Sequence, residues 1–391
     1  MRESALSYHE RTATGSRRDG AENQAATAHV LVWQWGRHGV MPRFAAHLAD
    51  GLRAVPGTRV SLSLAAGAEY LRSAQAPACD LPVETYDNLL GYVFGLARLP
   101  FRIRPLARRI AAIGPDLAVC ANPGPFDFLM IAALRRARVP FVAVIHDADR
   151  HPGDGMMFQM ALQRAVCQRA AALAALTAHV GERLIAQGLA GPDKRPLLRL
   201  SLPPMPFEMP AAEGRREGPL RLLMFGRLRA YKGLDLLAGA LSALGPTPLL
   251  EVRVVGSGPD GDELRQLQAL NGVTVENRWV AEDEIGALLA WSDAVVLPYR
   301  EASQSGVASA ALAAGRWVVA TRVGGLPEQL AGSPRAILCD PDVEGLASGL
   351  RGLLAAPGWD EARSIDTDGP WRETAASLMT QARAAGLIGR H

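Results

Sequence analysis

The chain has 391 residues, 49% hydrophobic and 21% charged, with a formal net charge of +3. That length exceeds one ordinary domain of roughly 100–200 residues, and the composition is that of a globular protein able to bury more than one core. The small charge gives no reason to expect nucleic acid, and without a run of ~18 apolar residues nothing is expected to span a membrane.

Residues 1–28 are polar and mixed in charge, lack an apolar secretory stretch, and read as a disordered tail. Order is expected from His29, where the apolar run HVLVWQWGRHG (29–39) ends in a glycine-containing turn before the helical spacing of Phe44, Leu48 and Leu52. The alternation continues through RVSLSLA (59–65), DLAVCANPG (116–124), the helical FDFLMIAALRRA (126–137) and PFVAVIHDADRHPGD (140–154), a buried strand running into a polar loop. SLPPMPFEMPAAEGRREGP, rich in proline and charge, reads as a linker. A second series follows: LRLLMFG (220–226), LLEVRVVGSG (249–258), GVTVEN (272–277), DAVVLPY (293–299) and WVVATRVGG (317–325), each before a helical stretch. Strands alternating with helices predict an α/β fold of two doubly wound Rossmann-like domains facing a cleft, with ligands outside the carboxyl ends of the strands. The expected boundaries are 29–203, a linker 204–218, 219–365, and a terminal helical stretch 366–391 crossing back to the first domain. Cys79, Cys120, Cys167 and Cys339 are widely spaced, with no CxxC pair, and suit a reducing compartment, hence the cytoplasm.

Lys232 is one of two lysines among 42 basic residues. With Arg227 and two glycines it follows a strand's carboxyl end just before a helix. Two cations there suit a diphosphate, and a solvated basic turn is the alternative. SQSGVASAALAAG (303–315) places Ser305 and Gly306 at the start of an Ala-rich helix, either an amide-lined anion site or a capped helix packed through small residues. HDADRHPGD offers His146, Asp147, Asp149, His151 and Asp154 as a metal cluster, or as a polar loop with one catalytic histidine, or as neither. DGD (260–262) reads as a helix start with acidic residues complementing the dipole. LARLPFRIRPLARRIAAIG (96–114) interleaves Arg98, Arg102, Arg104, Arg108 and Arg109 with apolar residues, which suits either a solvated basic helix face or an anionic membrane surface.

Together LLMFGRLRAYKGLDLLAGAL, VRVVGSGP, VAEDEIGALLAWSDAVVLPY and SGVASAALAAGRWVVATRVGGLPE resemble the group 1 retaining glycosyltransferases, family 4, with the GT-B fold. The resemblance runs from His29 onward and is most specific from Leu220 to Leu330. It implies transfer of a sugar from a nucleotide-diphosphate donor to a hydroxyl of a glycan or lipid-linked acceptor, in glycan, glycolipid or polysaccharide biosynthesis, without a metal or other cofactor. It implies that Arg227 and Lys232 hold the donor's diphosphate, that amides of Ser305 and Gly306 assist them, and that His146 lies near the reacting carbon. Gly39, Gly226, Gly256, Glu301 and Gln304 would complete the donor site. One departure concerns the family's two glutamates eight positions apart: Ser309 stands eight residues after Glu301. Alignment on Gly315 puts Ala302 and Ala310 in the two places, so no carboxylate on that helix meets the ribose. A variant with Q-S-G in this loop also fits the family. A non-catalytic binding subunit of the same fold and a metal-dependent hydrolase built on residues 146–154 are the competing readings.

Overall fold

The computed structural model describes residues 28–86, 88–150, 157–210, 218–245, 248–356 and 365–389. The expected tail up to residue 27 and linker residues 211–217 lie outside them. The first half runs β1 (Ala28–Gln34), α1 (Met41–Arg53), β2 (Thr58–Leu64), α2 (Leu89–Ala97), α3 (Leu99–Ile113), β3 (Leu117–Cys120), α4 (Asp127–Ala137), β4 (Phe141–Ile145), α5 (Met157–Cys167), β5 (Ala172–Ala175), α6 (Ala178–Ala186) and β6 (Leu197–Arg199). The second runs β7 (Leu220–Phe225), α7 (Leu234–Leu244), β8 (Leu250–Gly256), α8 (Asp262–Gln268), β9 (Val273–Asn277), α9 (Ile285–Trp291), β10 (Ala294–Leu297), α10 (Gly306–Ala313), β11 (Trp317–Thr321), α11 (Leu326–Gln329), β12 (Ala336–Cys339) and α12 (Val343–Ala355), before α13 (Asp368–Ala384).

Each half forms a six-stranded parallel sheet, in the orders β2-β1-β3-β4-β5-β6 and β12-β11-β10-β7-β8-β9. The inner strands are continuous apolar runs because helices cover both faces; every residue of β1, β3, β4, β5 and β10 is buried. Strand order reverses beside β1 and β3 in one sheet and beside β7 and β10 in the other. Chain leaving those neighbours in opposite directions opens a crevice at each sheet's carboxyl edge. The loops after β7 and β10 carry Arg227, Lys232, Gln304 and Ser305; those after β1 and β4 carry Gly39 and His146.

The terminal helix α13 packs on α1 in the first half. Trp371 is edge-on to Phe44, with ring centroids 5.4 Å apart, and stacks on His47 at 5.3 Å. Its Nε1 donates to the Pro204 carbonyl at 2.9 Å, and Gln381 bonds both backbone groups of Arg199, so α13 braces the chain entering the linker. Cys120, Cys167 and Cys339 are free and buried, and Cys79 is free and half-buried. Among the described residues no helix is long and apolar enough to cross a membrane. The basic stretch 96–114 is two helices, because Arg98 ends α2 and opens α3, with Pro100 in the first turn of α3.

Candidate active site

The turn after β7 is shaped by close backbone approach. Gly226 has φ +111°, and a Cβ on Gly256, at the end of β8, would fall 1.7 Å from the Gly226 carbonyl oxygen. Gly233, with φ +68°, starts α7, and a Cβ there would meet the Pro298 oxygen at 1.8 Å. The chain between these glycines makes a tight 3-10 turn that ends at Lys232. The lysine Nζ sits 3.7 Å above the centroid of the buried Tyr299 ring, an attraction of charge to π-face that holds the ammonium in place. Burial pushes the Tyr299 phenol up to about 12, so the ring under Lys232 stays neutral.

The loop after β10 leads into α10. Ser305 caps this helix, its Oγ accepting from Ala308 N–H at 3.2 Å. The Ser305 N–H, expected to face a phosphate, donates instead to Gln329 Oε1 at 2.8 Å, and Gln329 Nε2 returns a bond to the Ser305 carbonyl. Gln329 therefore fixes the loop and occupies the Ser305 amide. The N–H groups of Gly306 and Val307 have no hydrogen-bond partner among the described residues, and the positive end of α10 adds to them.

The opposite wall comes from the first domain. Gly39, with φ +77°, allows the loop after β1 to turn, and Val40 then reaches the start of α10: a Cβ on Gly306 would touch Val40 at 3.9 Å. His146 is buried, edge-on to Phe44 at 4.7 Å, with Nε2 2.9 Å from the Ala121 carbonyl. Its Nδ1 is 2.6 Å from Gln304 Nε2 of the other domain. Burial lowers the imidazole's basicity, opposed by the Ala121 hydrogen bond and by Asp147. A second bridge is ionic: Arg43 Nε donates to Glu282 Oε1 at 2.7 Å, and both side chains are over nine-tenths buried.

Between the walls lies a cavity of about 450 Å³. Gly39, His146, Gly226, Arg227, Lys232, Gln304, Ser305 and Gly306 all line it. Two expected residues do not. Glu301 is exposed and off the cavity wall, because Arg300 anchors the loop through its N–H to Tyr231 and its guanidinium to Asp235, leaving Glu301 toward solvent. Gly256 serves the approach of β8 to β7, and its neighbour Ser257 faces the cavity. Ala310 lines the wall at the place where the family resemblance implies a glutamate. The sequence reading missed Trp279, Val280 and Ile285, an apolar group on the same wall, and Glu282. An exposed tryptophan after a strand was the one available signal. Asp149 pairs with Arg183 and Gln187, while His151 and Asp154 lie outside the described residues. No group of three metal-ligating side chains occurs among the described residues.

A profile described as Glycosyl transferases group 1 matches residues 219–356, and one described as Glycosyltransferase Family 4 matches residues 41–194, well over half the chain between them. The chain belongs to the group 1 glycosyltransferases. It is 33% identical over 190 residues to a glycogen synthase of Mycobacterium tuberculosis, covering 46% of each protein. A sulfoquinovosyl transferase of Arabidopsis thaliana is 26% identical over 265 residues, 63% of this chain and 51% of that protein. The chain thus spans about half the length of the curated relatives it matches. Among solved structures, Anabaena HepE in complex with UDP-glucose has a TM-score of 0.60 at 17% identity, covering 92% of this chain and 98% of that one. A glycosyltransferase from Rickettsia africae has a TM-score of 0.60 at 15% identity, covering 93% and 98%. At these identities the likeness shows the shared fold, and the two facing domains described above are those of this group 1 glycosyltransferase.

Proposed function

We propose that this chain transfers a sugar from a nucleotide-diphosphate donor to an acceptor hydroxyl with retention at the anomeric carbon. The observation that carries the reading is the convergence on one cavity of Arg227, Lys232 and the Gly306 and Val307 amides, unpartnered among the described residues, with His146 closing it from the other side. Two side-chain cations and a helix N-terminus match a diphosphate, and their attraction grows as the leaving group gains charge. The bond from the anomeric carbon to the β-phosphate oxygen breaks with its electron pair going to phosphate. The acceptor oxygen bonds to the same face of that carbon, and its proton passes to the departing phosphate. Arg227 and Lys232 supply the electrophilic stabilisation in this scheme, so it requires no metal ion. Trp279, 55% exposed at the rim, and Val280 offer the apolar surface a nucleobase needs. HepE, which shares the fold, was captured with UDP-glucose.

The test is release of nucleoside diphosphate from a panel of UDP-, ADP- and GDP-sugars by the full chain, with and without EDTA. Chelator-insensitive release that falls about 10²–10³-fold in Lys232→Ala supports the reading. Unchanged activity in that variant sinks it, and chelator-sensitive hydrolysis would favour a metal enzyme.

For the acceptor side we propose peripheral attachment to an anionic membrane. Leu90, Val93 and Phe94 on α2 and Phe101 on α3 are 71, 56, 64 and 80% exposed, beside the exposed Arg98, Arg104, Arg108 and Arg109. Exposed apolar side chains with exposed arginines on the same two helices suit insertion at the level of acidic headgroups. Arg102 is not part of that surface: it donates to the Glu84 carbonyl and lies over the Phe126 ring.

A further inference from the structure

His146 and Gln304 are 158 residues apart and project from opposite domains, yet their side chains meet at 2.6 Å. The Ala121 carbonyl, 2.9 Å from His146 Nε2, can only accept a hydrogen bond, so Nε2 carries the ring's proton. In a neutral imidazole Nδ1 is then an acceptor and calls for a donor. The carboxamide NH₂ of Gln304 is that donor. A glutamate at 304 could not satisfy Nδ1 unless the ring took a second proton and became cationic. Glutamine at this position therefore matches a neutral histidine, and the two are satisfied only together. Burial disfavours the imidazolium in the same direction.

We propose that Gln304 is a positioning residue that, with the cleft closed, reaches across it and locks His146 in its neutral, Nε2-protonated tautomer. The lock couples the arrangement of the two domains to the state of the histidine, since moving the walls apart removes the donor from Nδ1. Both ring nitrogens are engaged, and the acceptor left over is Gln304 Oε1, which is buried and has no hydrogen-bond partner among the described residues. A hydroxyl of the bound sugar is the chemical class that would satisfy it on a small shift of the amide. The consequence for catalysis rests on the glycosyl-transfer reading; the tautomer itself does not.

Among the described residues the surroundings add one ionisable neighbour that acts directly on the ring, Asp147 of its own loop. The residues packed against it from α1, from the end of β3 and from the loop before α10 are Phe44, Ala121 and Gln304, none of them ionisable. Asp149 and Arg150 of the same loop and Arg227 and Lys232 across the cleft line the shared cavity.

The experiment is imidazole ¹⁵N NMR on the full chain labelled at histidine, with His146→Asn identifying the signals and thermal melting confirming that each variant folds. Wild type is expected to show the neutral Nε2–H pattern. Gln304→Glu should raise the His146 titration midpoint by about 1–3 pH units, as a carboxylate contact does. Gln304→Ala should keep the Nε2–H tautomer, still held by the Ala121 carbonyl, but move the Nδ1 resonance toward that of an unbonded acceptor nitrogen, without such a rise. In turnover of a sugar nucleotide, the acidic limb of the pH–rate profile should move up by the same amount in Gln304→Glu, with kcat reduced more than KM is altered. An Nδ1–H tautomer in wild type, or a His146 midpoint unmoved in Gln304→Glu, overturns the lock. A protein inert toward every sugar nucleotide yet showing the Nε2–H pattern and the Gln304→Glu shift would refute the proposed function and leave the lock standing.

Discussion

Replacing Arg43 by methionine removes one partner of a buried ion pair that joins the domains. The guanidinium donates to Glu282 Oε1 and to Gln75 Oε1, each at 2.7 Å, and lies 4.4 and 4.6 Å from the ring centroids of Tyr70 and Phe207. Methionine keeps the apolar stem but strands a carboxylate whose side chain is 7% exposed, which costs about 3–5 kcal/mol. That is a large share of a typical 5–15 kcal/mol. Burial nevertheless raises the Glu282 carboxyl above its ordinary range, with Arg43 pulling the other way, so the pair does not fully offset its own desolvation. The double variant Arg43→Met/Glu282→Leu should therefore recover most of what either single change loses. The assay is denaturant unfolding of wild type, Arg43→Met, Glu282→Leu and the double variant, read as a double-mutant cycle. Single changes costing under about 1 kcal/mol, as in an exposed pair, or a double variant equal to their sum would refute the reasoning.

Asp127 is buried, accepts from Gly124 N–H at 2.8 Å and from Trp33 Nε1 at 3.2 Å, and burial pushes its carboxyl up to about 6 from an ordinary 3.8. Because the folded value is the higher one, its contribution is complete below about pH 4 and lost as pH rises through 6. Relative to Asp127→Asn, wild type should lose about 2–2.5 kcal/mol between pH 4 and pH 7 in urea unfolding, and a parallel pH dependence would contradict this. Gly256→Ala drives a Cβ to 1.7 Å from the Gly226 carbonyl oxygen and should cost at least about 3 kcal/mol in the same assay. Gly352→Ala on α12, which meets nothing within 4 Å, should instead gain about 0.5–1 kcal/mol. Phe94→Ser/Phe101→Ser should abolish co-flotation with phosphatidylglycerol vesicles while leaving the melting temperature unchanged. Absence of flotation by the wild type would end the membrane proposal.

The alternating sheets were legible because strands covered on both faces must be apolar throughout, and the two cations that line the cavity were legible because they follow the end of a strand. The bridge from Arg43 to Glu282 was not, since nothing local distinguishes one acidic residue in AEDE from its neighbours. Nor could the sequence show that Gln329 consumes the Ser305 amide, a contact made across 24 residues. Glu301 misled because its orientation is set by Arg300 reaching Asp235 on a different helix. The break at Arg98 was hidden by continuous helical composition, and only Pro100 marked it. In each case the missing information was a tertiary partner rather than a local preference.

The central claim is that Arg227 and Lys232 hold a nucleoside diphosphate, and its most direct test is a thermal-shift titration with UDP, ADP and GDP against wild type and Lys232→Ala. At a hundred times its dissociation constant a ligand adds about 2.7 kcal/mol to stability. The account predicts that at least one diphosphate raises the wild-type melting temperature in a concentration-dependent way, and that the rise is lost or sharply reduced in Lys232→Ala. No rise with any of the three, or an equal rise in the variant, would contradict it.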